Sequence, residues 1–419
     1  MEPAPPAPGA AHPLRPGWSW RGGLAWLALL VGLVCAGLVL GGRDSPLRRP
    51  DAAAVDAMPL LLGARALLAG GDPSDDAALE EAYRRSEDIA FPVHGFHSYY
   101  PPTASLLFLP MGLLPCPWLA ALLYWGSLAA LVGSAWFLAT AGRGRGHVAG
   151  LAAALLVGAV FLKLRVTPVV LRVGQVSPFV VLLTAVALWG LARARTWGLW
   201  AFTLGAALKY FPLLLLPAAL AARRWRWLLA AGGLAVGLVA ALWIWRDSPH
   251  GLRPPWLFGA GHFFTDAPVQ PWARHGPPWL LWLWRLRLPL LGGSSAAVVV
   301  ATAWARPGRE LSVATGGLLL AFGGALTAGG HLYHESILCL PALGLVLAWP
   351  AQRGPLALQW GGAALALAAL VFLGALDPAG PPNPPHWLPI SYLVWTLCLL
   401  RWGWAWWWER FFFQRHRSE

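Results

Sequence analysis

The sequence predicts an all-α polytopic membrane protein, and three observations carry that prediction. Of 419 residues 58% are hydrophobic and only 12% charged, about half the charged share of an ordinary soluble domain. Continuous apolar runs of about one bilayer thickness recur from residue 24 to the C-terminus, which is the signature of spanning helices. A transmembrane β-barrel would alternate instead. The arginines gather at the ends of these runs, so the net charge of +13 speaks for membrane anchoring rather than nucleic acid.

Residues 1–23, rich in Pro and Ala, read as a disordered cytoplasmic tail. The run 24–40 has no small-residue cleavage site after it and reads as an anchored first helix rather than a removed signal. The stretch 43–101 holds 10 of the 18 acidic residues and forms a large non-cytoplasmic loop with surface helices. Within it "DAMPLLLGARALLAGGDP" predicts a helix ending at Gly70-Gly71. A second helix starts at Ser74, with Asp72, Asp75, Asp76, Glu80 and Glu81 on a solvated face. Further spans are predicted at 117–141, 148–164, 176–192, 227–245, 288–305, 311–327, 335–349, 355–376 and 387–406. About ten transmembrane helices thus make one domain over 24–413, followed by a cytoplasmic tail at 414–419. Cys35, Cys116, Cys339 and Cys398 stand singly in apolar segments and read as small core residues.

Orientation follows from the arginine-bearing turns, which belong in the cytoplasm. The pattern closes only if 197–221 leaves and returns on the same side. That makes it a re-entrant helical hairpin, broken near Lys209 and Pro212, each half rising ~18 Å. Segments 43–101, 165–175, 246–278 and 328–334 then open on the non-cytoplasmic face, together with the tip at Lys209.

Lys209 is the residue that asks for a reason. Of 31 basic residues only Lys163 and Lys209 are lysine, and a charge at membrane depth costs about 3 kcal/mol. Asp56 precedes the first surface helix, where it reads either as an N-cap or as a carboxylate serving as general base. "FHSYYPPTASLLFLP" places His97 and the tyrosines at the interface as an aromatic belt. "LRVGQVSPF" puts Arg172 and Gln175 at the mouth of a span. Arg172 suits a phosphate there as well as it suits snorkelling. Gly174 permits close approach of another group to its backbone. "GGHLYHES" gathers His331, His334 and Glu335. The order HxxHE is not the HExxH of a zinc protease, so no metal is assigned, and a hydrogen bond to a sugar hydroxyl or phosphate fits better. There is no phosphate-binding glycine loop, nucleophile elbow or dinucleotide fingerprint.

The block "LRVGQVSPFVVLLTAVALWGLARARTWGLWAFTLGAALKYFPLLLLPAALAARRWR" (171–226) resembles the signature of glycosyltransferase family 87. That family comprises polyprenol-phosphate-mannose-dependent mannosyltransferases and relatives on the GT-C fold. The matching features are Gly174-Gln175, the KxxP from Lys209 to Pro212, and the basic turn from Arg223 to Arg226. "YYPPTASLLFLP" and "HLYHESILCLPAL" also fit, as does Asp56 nine residues before "RALLAG". Two positions depart from the pattern: Ser177 stands where the family commonly has Asn, and Leu60 where it has Tyr. Asp51 is the fallback for the first-loop carboxylate.

The resemblance implies a GT-C-like membrane hexosyltransferase that moves mannose from a polyprenyl-phosphate donor to a lipid- or polysaccharide-linked acceptor, with inversion. No cofactor beyond that lipid-linked co-substrate is implied, and no nucleic acid. It assigns Asp56 as the base. Arg172, Gln175, Lys209, His331, His334 and Glu335 would bind the donor phosphate or sugar. A polytopic transporter or flippase is the alternative, since broken helices and buried charges mark transporters too.

Overall fold

The computed structural model describes Leu30, Leu33 and residues 54–73, 75–89, 100–141, 147–244, 278–305, 307–327, 337–349, 356–372 and 387–415. Among them the regular structure is all helical. The two termini and most of the predicted first span lie outside this set.

A 3₁₀ turn, Val55–Ala57, leads into α1 (Met58–Leu68), with Pro59 in its first turn, a position that loses no hydrogen bond. Met58, Leu60, Leu61, Leu62, Ala64 and Ala66 are all buried. A helix apolar on so many sides belongs inside a module rather than flat on a surface. The second predicted surface helix is α2 (Asp76–Arg84), capped by the Asp75 carboxylate, which accepts from the Ala77 N–H. It buries only Leu79 and Ala82. Its acidic face carries exposed pairs, Glu80 with Arg84 and Glu81 with Arg85.

Two short helices, α3 (Pro102–Leu107) and α4 (Leu109–Gly112), bring the chain to α5 (Cys116–Ala141). Arg65 on α1 ties these pieces together with all five guanidinium N–H groups. Nη1 and Nη2 each donate to an Asp88 carboxylate oxygen at 2.8 Å. The remaining donors reach the Ser86 hydroxyl and the carbonyls of Gly112 and Leu114. Asp88 Oδ2 also accepts from the Cys116 N–H at 2.6 Å, so the same carboxylate caps α5. The Arg65 guanidinium holds the Asp88 carboxyl below its ordinary value, with the Cys116 N–H adding to the effect and burial opposing it.

The body follows: α6 (His147–Lys163), α7 (Val166–Val173), α8 (Ser177–Arg193) and α9 (Thr196–Leu208). A 3₁₀ stretch Phe211–Leu215, α10 (Leu216–Ala221) and α11 (Trp225–Ile244) come next. Then α12 (Pro278–Leu286) continues through a π turn, Arg287–Gly292, into α13 (Gly293–Ala305). The last four are α14 (Arg309–Thr327), α15 (Leu340–Leu347), α16 (Leu356–Phe372) and α17 (Trp387–Arg415). The largest apolar core crosses α5, α6, α8, α9, α14, α15 and α17. A smaller one joins Ala54, Met58, Leu60 and Leu61 to Tyr100, Phe108, Leu119 and Val176, seating α1 against the head of α8.

Among the described residues, Cys116–Ala141 and Pro278–Ala305 are long and apolar enough to cross a membrane. The pair α6 and α7, bent by 71°, would make a third. Five other apolar helices are shorter, α8 and α9 among them. Hydropathy alone therefore read as uniform a set of helices of very unequal length. Two boundaries are corrected. Segment 165–175, expected as a loop, is mostly α7. Pro168 stands in its first turn, where the missing N–H costs nothing. The span expected from 288 begins at Pro278, because the helix Pro278–Leu286 runs on without a break through a π turn that accommodates Pro289.

The helix break expected near Lys209 and Pro212 is present. α9 ends at Leu208, and Lys209 is extended with φ −150° and ψ 141°. A Cβ added at Gly205 would lie 2.9 Å from Pro212 Cγ, so the proline ring folds back onto α9 through the space a glycine leaves. At 13 residues, α9 rises ~20 Å, short of the ~30 Å hydrocarbon core.

Candidate active site

Four polar side chains from three separate stretches form one hydrogen-bonded line. Lys209 Nζ donates to Ser177 Oγ at 2.9 Å. The Ser177 hydroxyl donates to Gln175 Oε1 at 2.9 Å. Gln175 Nε2 donates to Asp56 Oδ2 at 2.7 Å. Ser177 is fully buried and Gln175 only 3% exposed, while Asp56 and Lys209 are half-buried. Charge of opposite sign therefore sits at the two accessible ends, with two neutral groups sealed between them.

Local backbone explains the meeting. Gly174 ends α7 with φ +71°, a left-handed conformation that side chains disfavour. A Cβ there would lie 2.5 Å from Ala54 Cα. That contact sets the turn carrying Asp56 beside Gln175, so the Gly-Gln pair works as a unit. On the other side, Thr103 Oγ1 donates to the Ala207 carbonyl at 2.9 Å, satisfying an acceptor in the last turn of α9. This docks α3 next to Lys209. The Tyr100 ring centroid then lies 5.4 Å from Lys209 Nζ, within cation–π range. The Tyr100 hydroxyl also donates to the Asp56 carbonyl at 3.4 Å.

Asp56 is not an N-cap. It lies inside the 3₁₀ turn, the cap positions of that turn and of α1 are Ala54 and Ala57, and neither makes a side-chain cap bond. Its carboxylate is turned across the chain to Gln175. Of the other expected site residues, Arg172 is in the last turn of α7, exposed and outside this line of bonds. His331, His334, Glu335, the fallback Asp51 and His97 lie outside the described residues. Two participants were not singled out from sequence. Ser177 was noticed only as a departure from a motif, and Tyr100 was read as belt aromatic. The usable signal for Ser177 was its place two residues after Gln175 at the head of the same helix. An open cavity of about 420 Å³ lies instead against the Arg65 clamp, lined by Gly71, Glu81, Arg85 and Asp88 among others. None of the four side chains of the line borders it.

This arrangement can hold an anion at one end and accept a proton at the other, which is what displacement of a charged leaving group by a hydroxyl requires. A model of glycosyltransferase family 87 matches residues 96–328, more than half of the sequence. The chain belongs to glycosyltransferase family 87. Family membership makes it a glycosyltransferase, using a sugar donor and an acceptor, and its apolar helices make it a membrane protein. The matched region of this family 87 member contains Tyr100, Gln175, Ser177 and Lys209, whereas Asp56 lies before it. Comparison with curated proteins and with solved structures gives no match.

Proposed function

We propose that this family 87 glycosyltransferase has a GT-C-type architecture and transfers mannose from a polyprenyl-phosphate donor to a lipid- or polysaccharide-linked acceptor, with inversion, on the non-cytoplasmic face. The observation that carries the reading is the line from Lys209 through Ser177 and Gln175 to Asp56. Asp56 takes the proton of the acceptor hydroxyl as its oxygen attacks the anomeric carbon. The bond from that carbon to the phosphate oxygen breaks, and the polyprenyl phosphate leaves with the electron pair. Lys209 stabilises the departing anion, the more so for lying among apolar helices. Arg172 assists at the mouth of α8, and His331, His334 and Glu335 orient the phosphate or the sugar hydroxyls. Membership of a glycosyltransferase family favours transfer over the transporter reading.

The test is incubation of the purified protein with polyprenyl-phosphate mannose, glucose and arabinose and a panel of glycolipid acceptors. Products are identified by mass spectrometry and the anomeric configuration by NMR. An α-mannoside from a β-linked donor is expected, and a product carrying another sugar, or retention, would replace the assignment. The face is tested separately in a background lacking the native cysteines. A cysteine replacing Asp76 should react with an impermeant thiol reagent added outside, and one replacing Arg224 should not.

A further inference from the structure

The line of hydrogen bonds has a direction that chemistry imposes. A lysine ammonium has donors only, and an ionised carboxylate has acceptors only. Starting from Lys209, Ser177 Oγ must accept, so its one hydrogen is left for Gln175 Oε1. The amide nitrogen of Gln175 is then the atom that faces Asp56. The orientation of a glutamine amide is ordinarily a free choice between two near-equal states. Here the charged ends and the serine between them remove that choice.

Resting on the reading of Asp56 as base and Lys209 as phosphate partner, we infer that Ser177 and Gln175 are positioning residues, with Ser177 setting the direction of the line and thereby holding the Gln175 N–H on the Asp56 carboxylate. Burial gives the link its consequence. Ser177 is fully buried and Gln175 nearly so, so water cannot readily replace a lost partner, and an unmatched buried polar group is costly. Without the serine hydroxyl, Lys209 loses an acceptor and Gln175 Oε1 loses its donor. The amide is then held from the Asp56 side alone and can swing about that single bond, so the carboxylate loses its fixed place. The effect belongs in the transfer step, because the carboxylate and the leaving-group cation are displaced relative to each other. What position 177 requires is a group that accepts and donates at once. Threonine does this with a hydroxyl, asparagine with an amide, and alanine or valine cannot.

Four variants test this in the full-length protein: Ser177→Ala, Ser177→Val, Ser177→Thr and Ser177→Asn. Thr and Val have nearly the same shape, so a packing effect moves both while a hydrogen-bond effect separates them. If the added methyl disrupts folding, the Ala and Asn pair makes the same comparison. With polyprenyl-phosphate mannose as donor and folded protein checked by size-exclusion chromatography, kcat should fall roughly tenfold or more in Ala and Val. Donor KM should change little. Thr and Asn should keep at least about a third of the rate, and Ser177→Ala should add little in a Lys209→Met background, as expected of members of one network. Equal rates in Ala and Thr, or in Ala and Asn, with Asp56→Asn inactive, would overturn the positioning role and leave the proposed mechanism standing. Full turnover in Asp56→Asn would remove the mechanism itself, and this inference with it.

Discussion

Asp56 and Arg65 stand nine residues apart at the two ends of one turn-plus-helix segment, and each reaches an oppositely charged partner from elsewhere in the chain. The solutions differ. Arg65 meets Asp88 directly, with two bonds of 2.8 Å and its other N–H groups committed to Ser86, Gly112 and Leu114. Asp56 is linked to Lys209 through Gln175 and Ser177. A direct bidentate pair neutralises its charges on each other and serves geometry. A pair bridged by neutral groups does not spend its two charges directly on each other. The contrast separates a structural ion pair from a candidate catalytic one on contacts alone, and the segment between them gives the clamp a purpose. With α1 fixed at one end by Arg65, the turn at its other end packs Ala54 against Gly174 and so carries Asp56 to Gln175.

The comparison breaks most visibly at Asp56. Asp56→Asn keeps shape and volume, and Asp56 is not a cap, so stability should change little. Turnover with polyprenyl-phosphate mannose should fall about 10²–10⁴-fold while the donor still binds, measured as rate against thermal unfolding in detergent. A variant that unfolds without losing rate per folded molecule would move Asp56 to the structural class.

Next in size is Lys209. Lys209→Ala should lower turnover about 10²-fold or more, in the range of removing one stabiliser of a developing anion, with the protein still folded. Lys209→Arg should restore part of it, because a planar fork does not replace a compact point charge in one position. Steady-state kinetics on both variants settles whether charge or shape is used.

The clamp should respond the opposite way. Arg65→Met or Asp88→Asn should cost about 1–3 kcal/mol of stability, read as a lower melting temperature and faster proteolysis between α1 and α5. The rate per folded molecule should be nearly kept. The Asp88 carboxyl is lowered from its ordinary 3.8, so its contribution is fully present above that value and is lost as pH falls through the lower, folded one. Acid should therefore destabilise the wild type by a component that Asp88→Asn lacks. Equal acid sensitivity in the two would show that the pair does not hold the module.

The smallest effect belongs to the exposed pairs of α2. Glu80→Ala and Glu81→Ala should each change stability by about 0.5 kcal/mol or less, and less still in high salt. A larger loss would mean that α2 docks through that face rather than through Leu79 and Ala82.

Much of the fold was legible because it rests on local chemistry. The apolar runs fixed which segments are helical, the glycines at 70 and 71 marked the end of α1, and the proline after Lys209 announced the break. Helix lengths were less legible. A π turn after Leu286 and a bend between Lys163 and Val166 depend on neighbouring packing, to which hydropathy is blind. The site was half legible. An ionisable lysine in an apolar run, a glycine-glutamine pair and an acidic residue before a short helix each stood out for what they cost or permit.

What the sequence by itself determined, then, is the class of the protein, a helical membrane glycosyltransferase, and the individual residues whose chemistry is out of keeping with their surroundings. Only the tertiary structure decided which of them meet. Gln175 and Asp56 are 119 residues apart and Lys209 and Ser177 are 32 apart, separations over which sequence carries no distance information. Tertiary packing also gave Ser177 its meaning. A serine at a helix head names no partner in sequence because its hydroxyl can turn anywhere. It acquires a direction only when a half-buried lysine stands on one side and a glutamine carbonyl on the other.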